Sequence, residues 1–454
     1  MAVDAAREAA LKILFEVNEK GAYSNIALNR HLESSGLQGV DRAFATELVY
    51  GVLKWRLALD HVIENFSSVK LKKISPWIMN ILRLGVYQLL YTSRVPESAA
   101  CNESVKLAAK HGHRASSGFV NALLRNVAKN RDRLEPAEDM ADRVPYLSVK
   151  YSHPEWMVRK FTDLFGDGFT ESLLKADNEV PEFSVRVNSL RTTAGELIRD
   201  LEAEGVGAVP GKYLDEALIL KNPSAVARLE AFKKGLFQVQ DESSMLAAKA
   251  LDPKPGEFVL DACSAPGGKA THVAQLMQNR GAVLARDVFE HKTKLVMSAA
   301  ARLGIDIIRT EVYDSSLPDE AHAGKFDRIL LDAPCTGLGI MRRKPEIRWS
   351  REAEDEKAVT ELQLKLIKAV SSALKPGGTM VYSTCTILPR ENRELVRRFL
   401  EEDGAFDLDD ITPYIPEKLK GYAEEKGMLQ LYPNRDGIDG FFIARLRKRG
   451  GPHG

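Results

Sequence analysis

The chain has 454 residues, enough for about three domains, and its 44% hydrophobic and 28% charged content is ordinary for a globular protein. No apolar run approaches the ~18 residues of a membrane span. Cysteines 101, 263, 335 and 385 show neither disulfide-framework nor zinc spacing, which argues against a secreted scaffold and a zinc-built fold. Asp4, Arg7 and Glu8 stand where a signal peptide would be uncharged, so a cytoplasmic location is expected. The net charge of +1 averages unlike segments: Gly51 to Arg133 alone carries +9, which suggests an anionic partner.

In chain order, residues 1–140 read as an all-helical bundle. AAREAALKILFEV, DRAFATELVYGVLKWRLALDHVI, SPWIMNILRLGVYQLLY and SAACNESVKLAAKHG repeat apolar residues at three- and four-residue spacing. Asn25, Asp41 and Ser75 are candidate N-caps, with Pro76 at a first helical position. The acidic, proline-bearing LEPAEDMADRVP marks a boundary. Residues 151–240 form a small α+β domain: a helix after Pro154, a strand at FSVRVNSL, a helix ending at Gly205 and a strand at LDEALILK. Asp241 or Ser243 caps the helix that follows.

Residues 241–450 alternate strands and helices, which predicts a C-terminal α/β, doubly wound, mostly parallel Rossmann-like sheet. Its strands are FVLDAC, AVLARD, IDIIRTEVYD, FDRILLDAPC and GGTMVYSTC, with a last helix from Pro389. MLQLYP and GFFIARLRK around NRDGIDG suggest an antiparallel edge hairpin.

Ligands of such sheets lie beyond the carboxyl ends of the strands. There the sequence places Asp261 with the turn Cys263-Ser264-Ala265-Pro266-Gly267-Gly268-Lys269, then Asp287, Asp314, Asp332 with Cys335, and Cys385. The turn is no Walker loop, which would need glycine at Cys263 and Ser or Thr at Ala270. A strand-to-helix glycine turn followed by an acid 19 residues past Gly268 suits a nucleotide-like cofactor. Cys101 reads as a buried, inert thiol. Two cysteines at the tops of adjacent strands instead fit covalent catalysis, with Lys269, Lys344 and Arg348 as candidate sources of a field favouring thiolate.

VLDACSAPGGKATH, LLDAPCTGLGIMRRKPEIRW, STCTILPRENREL and DGIDGFFIARL resemble the successive motifs of the RNA cytosine-C5 methyltransferases that use S-adenosylmethionine. SHPEWMV and SVRVN resemble that family's pre-catalytic segment. DRAFATELVYGVLKW, PESAACNESVKLA and GFVNALLRN resemble its antitermination-factor-like RNA-binding domain. Arg390 departs from the pattern, standing where an acid commonly follows the proline.

The resemblance implies methylation of small-subunit rRNA, most specifically cytosine-967 of 16S rRNA; a monomer with no membrane or metal partner is expected. It implies Cys385 as the nucleophile toward C6, Asp332 as the group holding N3 and the exocyclic amine, and Cys335 as an aid to product release. Residues Cys263 to Lys269 would cradle S-adenosyl-L-methionine, with Asp332 nearby, Asp287 on the ribose and Asp314 near the adenine. Arg342, Arg343, Lys344 and Arg348, beside Trp349, mix cations and an aromatic in a way that suits RNA. Cys263 reads as packing under the turn, and His272 as a helix residue rather than a base. Other readings are the same chemistry on tRNA or another rRNA site, a non-catalytic RNA-binding assembly factor, and an NAD-dependent dehydrogenase. The last leaves both rim cysteines unexplained.

Overall fold

The computed structural model describes residues 3–131, 134, 142–221, 223, 226–423 and 425–450. Most of the boundary expected at 134–145 therefore lies outside the described residues. The chain forms two compact units: Met1–Val180 with Met341–Ala353, and Pro181–Ile340 with Glu354–Gly454.

The first unit is helical. It contains α1 (Ala5–Lys20), α2 (Ser24–Ser34), α3 (Gly39–Phe66), α4 (Pro76–Tyr91), α5 (Glu97–His111), α6 (Arg114–Lys129), α7 (Val144–Tyr151), α8 (Glu155–Phe165) and α9 (Asp167–Ala176). Asp4 caps α1 by accepting the Arg7 N–H, and Gly21 ends it in the left-handed region. Ser75 precedes α4 with Pro76 in its first turn, as expected, although the Ser75 side chain makes no cap bond. The other two cap assignments are corrected. Asn25 already lies inside α2, and Asp41 sits in the first turn of α3, where an acid complements the partial positive charge of the terminus.

Leu14, Leu48, Val52, Leu82, Val86 and Leu124 are fully buried between these helices, each contributing roughly 1.5–3 kcal/mol. Trp77 stacks on Phe15 at 3.9 Å and on His111 at 4.6 Å. Of the cations behind the +9 segment, Arg83 is buried on Asp60 through two hydrogen bonds, whereas Lys70, Lys72, Lys73, Arg94, Lys110, Arg114, Arg125 and Lys129 are exposed. Cys101 is buried, and burial pushes its thiol pKa up.

The second unit opens with a four-stranded antiparallel sheet in the order β2-β3-β1-β4. Its elements are β1 (Phe183–Val187), α10 (Ala194–Ala203), β2 (Gly207–Pro210), β3 (Ala217–Lys221), α11 (Glu230–Lys233) and β4 (Phe237–Val239). β2 and β4 escaped the sequence reading because both are short and neither alternates cleanly. Asp241, rather than Ser243, caps α12 (Glu242–Leu251) by accepting the Ser243 N–H.

The large sheet is built from β5 (Phe258–Asp261), α13 (Gly268–Leu276), β6 (Ala282–Asp287), α14 (Glu290–Leu303), β7 (Ile308–Val312) and β8 (Phe326–Asp332). After α15 (Ile347–Ser350), which belongs to the first unit, come α16 (Asp355–Ser371), β9 (Leu374–Thr384), α17 (Arg393–Glu402), β10 (Phe406–Leu408), α18 (Glu417–Lys420), β11 (Met428–Leu431), α19 (Pro433–Asp436) and β12 (Phe441–Lys448). The order is β10-β12-β9-β8-β5-β6-β7, parallel from β9 to β7. β12 runs antiparallel to β9 and pairs with β11 in the expected hairpin.

Val259, Leu260, Ile329, Leu330, Leu331, Met380 and Val381 are wholly buried, as central parallel strands require. Strand order reverses between β5 and β8, so a crevice opens beyond the carboxyl ends of these two strands. The helix expected from Pro389, α17, starts at Arg393 instead, because residues 389–392 form a turn. No helix among the described residues is long and apolar enough to cross a membrane.

Candidate active site

The turn after β5 is pinned from two directions. Ser264 donates to the Arg286 carbonyl through its N–H at 2.8 Å and its hydroxyl at 3.0 Å, fastening the turn to β6. The Gly267 N–H then reaches the Ser264 carbonyl at 2.7 Å across a cis Ala265–Pro266 peptide. Gly267 has φ +102°, and a Cβ there would lie 3.0 Å from Val296 Cα, so only glycine fits. α13 begins at the next residue and presents the N–H groups that its own helix cannot satisfy.

From below, the fully buried Arg186 of β1 donates to the Gly268 carbonyl at 2.8 Å and to Thr271 Oγ1 at 3.0 Å, and also binds Gln240 and Gln275. Sequence reasoning gave Arg186 no role. Its signal is a cation inside an otherwise apolar strand, SVRV, where only a buried acceptor set can hold it.

Cys263 packs against the apolar core, and burial pushes its thiol well above the usual range, in keeping with a packing residue. His272 is buried in α13, 3.5 Å from Glu216. Asp287 ends β6, accepts the Phe289 N–H at 3.2 Å and lies 3.6 Å from Lys292 Nζ. Asp314 lies two residues past β7 and is exposed, with Oδ1 accepting from Ser316 N at 3.0 Å and Ser316 Oγ at 2.7 Å. Asp261 is fully buried, with the Cys263 N–H bearing on its carboxylate. Burial first, and then the charge of Asp332, push its pKa up to about 7.

The parallel pairing of β8 with β9 sets Asp332 opposite Ser383 and so delivers the two cysteine loops side by side. Cys335 Sγ lies 3.1 Å from Cys385 Sγ. Asp332 accepts from Lys269 Nζ at 2.7 Å and from Ser383 Oγ at 2.9 Å. The Cys385 carbonyl accepts the Gly339 N–H at 3.0 Å. The hydrogen bond to Cys385, and then burial, push the Cys335 thiol pKa well above its ordinary value. Cys335 thus keeps its proton at neutral pH and can donate it toward the Cys385 sulfur.

Arg348 differs from its expected exposed, RNA-facing placement. In the first unit it is fully buried, donating to the carbonyls of Lys54, Ser152 and Asp177 and to Asn178 Oδ1 at 2.9–3.3 Å. Its charge therefore serves backbone acceptors rather than a thiolate or RNA. Trp349 beside it donates its indole N–H to the Leu53 carbonyl at 2.6 Å. Arg342 is buried, Arg343 half-buried and Lys344 exposed. Among the described residues no group of three His, Cys, Asp or Glu side chains is placed to hold a metal.

Comparison with known proteins bears on this arrangement directly. Residues 248–447 match the 16S rRNA methyltransferase RsmB/F family, residues 4–129 the NusB family and residues 153–227 the RsmF/B-like ferredoxin-like domain. A probable ribosomal RNA small subunit methyltransferase B of Bacillus subtilis strain 168 is 39% identical over 446 residues, covering 98% of this chain and 99% of its own. The chain belongs to the 16S rRNA methyltransferase RsmB/F family. Members of the RsmB/F family depend on S-adenosylmethionine, and the chain is accordingly a methyltransferase.

Its fold matches the crystal structure of PH0851 with a TM-score of 0.84 at 28% identity, covering 99% of this chain and 100% of the other. NSun6 from Pyrococcus horikoshii with SFG matches with a TM-score of 0.59 at 25% identity, over 66% of this chain and 99% of its own.

Proposed function

We propose that this member of the RsmB/F family methylates C5 of a cytosine in small-subunit rRNA, cytosine-967 of 16S rRNA being the expected target. The observation that carries the reading is the pair of sulfurs 3.1 Å apart beside the Lys269–Asp332 ion pair, at the switch point of the sheet. The residues at the turn fit S-adenosylmethionine: Gly267 leaves no room for a side chain, and the start of α13 supplies unsatisfied N–H groups. Cys263 to Lys269 would hold its methionyl end, Asp287 its ribose and Asp314 the neighbourhood of its adenine. When bound, the cofactor supplies an electrophilic methyl group.

Cytosine C5 is a poor nucleophile until the conjugation of the ring is broken. Cys385 adds to C6 as its thiolate, its proton already lost to solvent, and the electron pair of the C5–C6 double bond becomes available at C5. Asp332, oriented by Lys269 and Ser383, holds N3 and the exocyclic amine as charge develops there. Once C5 carries the methyl group, its proton must pass to a base. The double bond then re-forms and Cys385 leaves with the electrons of the C6–S bond. Cys335, directly or through water, serves that release. Exposed Lys344, with half-buried Arg343 beside it, would contact RNA, whereas Arg342 is buried and departs from the expected RNA-facing set.

Bisulfite sequencing of 16S rRNA and tRNA from cells with and without the protein tests the assignment. Loss of one protected cytosine at position 967 supports it. A protected cytosine lost elsewhere moves the target, and no change in any RNA refutes the reading.

A further inference from the structure

The loops that carry the two thiols are knitted together by one buried set of hydrogen bonds, which converges on the adjacent residues Glu391 and Asn392. Glu391 is wholly buried and Asn392 1% exposed, and no role has yet fallen to either.

Glu391 grips the loop of Cys335. Its Oε2 accepts the Thr336 N–H at 2.9 Å, and its Oε1 accepts the Thr336 hydroxyl. Gln363 Nε2 donates to Glu391 Oε2 and to the Pro334 carbonyl, each at 2.9 Å, so the residues on both sides of Cys335 are tied down. Asn392 does the same for Cys385. Its Oδ1 accepts the Thr384 hydroxyl at 2.6 Å, and its Nδ2 donates to the Thr386 carbonyl at 3.0 Å and to Gln430 Oε1 at 2.7 Å. The Thr336 and Thr386 hydroxyls meet at 2.9 Å, and Tyr382 Oη donates to the Glu391 carbonyl at 2.8 Å.

We infer that Glu391 and Asn392 are positioning residues that set the separation of the two sulfurs, Glu391 through the Cys335 loop and Asn392 through the Cys385 loop. The inference rests on the proposed chemistry, in which Cys385 attacks and Cys335 assists release. The physical ground is that a reacting group displaced by about 1 Å can lose ~100-fold in rate, and buried partners without alternatives hold a loop more tightly than exposed ones. Because the two residues serve different loops, they should fail at different steps. Loosening the Cys335 loop leaves attack intact and slows release. Loosening the Cys385 loop slows attack itself.

The test uses the full-length protein with 16S rRNA lacking its cytosine modifications and radiolabelled S-adenosylmethionine. The first-turnover rate and the fraction of enzyme held as denaturant-resistant RNA adduct are read for wild type, Cys335→Ala, Cys385→Ala, Glu391→Gln and Asn392→Ala. Glu391→Gln is expected to raise the adduct fraction about tenfold while first-turnover rate stays within about threefold. Asn392→Ala should slow the first turnover by about 100-fold without adduct build-up. A merely structural role would lower thermal stability and both steps together, leaving the adduct fraction at the wild-type value, and that result overturns the inference.

Thr336→Val, which deletes one hydroxyl, guards against a Glu391 variant that does not fold and should shift the adduct fraction in the same direction. A second reading needs no RNA. Diamide takes two electrons and two protons from a close pair of thiols to give a disulfide, and the rate of that oxidation in the free protein should change in both variants. An unchanged rate counts against the inference. If wild type and Cys335→Ala form no adduct, the proposed chemistry has failed instead, and the diamide rates still judge whether the pair sets the sulfur spacing.

Discussion

Lys269 Nζ lies 2.7 Å from Asp332 Oδ2, joining the first turn of α13 to the end of β8 across the switch point of the sheet. One ion pair therefore links the glycine turn to the acid beside the thiols, and the Phe441 ring lies 5.0 Å from the same ammonium. Lys269→Met removes a charge-assisted hydrogen bond worth about 1.5–3 kcal/mol, or ~10–100-fold in kcat/KM, with Lys269→Arg retaining part of the activity. Steady-state kinetics with saturating RNA check this, and full activity in Lys269→Met would remove the lysine from the site.

The two thiols have separable fates. Cys385→Ala should abolish methyl transfer and form no adduct. Cys335→Ala should complete the first transfer and remain bonded to RNA on denaturing gels. Equal behaviour of the two variants would contradict the division of labour between them.

Asp261 predicts a pH dependence of stability. Its folded-state pKa of about 7 stands above the ordinary 3.8. Below about pH 4 both states carry the proton and nothing is lost. Between about pH 4 and 7 the unfolded chain ionises while the folded one does not, so stability falls as pH rises, by at most ~4 kcal/mol from this group. Above that window the loss is constant. Asp261→Asn should therefore flatten the descent, and urea unfolding at pH 5 and pH 8 reads the difference. Parallel pH profiles for wild type and variant would show that the carboxyl does not resist ionisation.

The sequence made much of this legible, for physical reasons that differ by element. Parallel strands buried on both faces, such as VLD and ILLD, announce themselves as apolar runs, and the residues at their carboxyl ends then fall at the rim. Cys335 and Cys385 therefore read as two thiols at the tops of adjacent strands from the sequence alone. Residues whose partners are distant in sequence could not. Glu391 and Asn392 look like solvated residues at the start of a helix until the 2.9 and 2.7 Å bonds to Thr336 and Gln430 are seen. Arg348 fails in the opposite sense. Beside Arg342, Arg343, Lys344 and Trp349 it looks like part of an RNA-binding cluster, because composition cannot distinguish an exposed guanidinium from one spent on four buried acceptors.

Gly339 should tolerate no side chain. A Cβ there would lie 2.1 Å from the Gly440 carbonyl oxygen and 2.9 Å from that of Cys385. Gly339→Ala is expected to cost about 1–3 kcal/mol of stability and to lower turnover by more than the unfolded fraction accounts for, because the displaced backbone carries the nucleophile. Thermal unfolding and kcat measured on one preparation separate the two effects.

Arg348→Ala should destabilise the helical unit by about 3 kcal/mol or more, since it strands several buried carbonyls. Lys344→Ala should change stability by less than about 0.5 kcal/mol and weaken RNA binding in a salt-dependent way. Thermal unfolding and RNA titrations at two salt concentrations check both. A stable Arg348→Ala protein would mean that the buried guanidinium contributes little.

The chain leaves the second unit after Ile340, runs through Met341–Ala353 as part of the first, and returns at Glu354. The amino-terminal region is thus no bead that gene fusion can add or discard at one junction. A descendant that shed it would strand Arg348 and Trp349 without the carbonyls of Lys54, Asp177 and Leu53. A chain without that region would need other residues at these two positions in the stretch following Cys335.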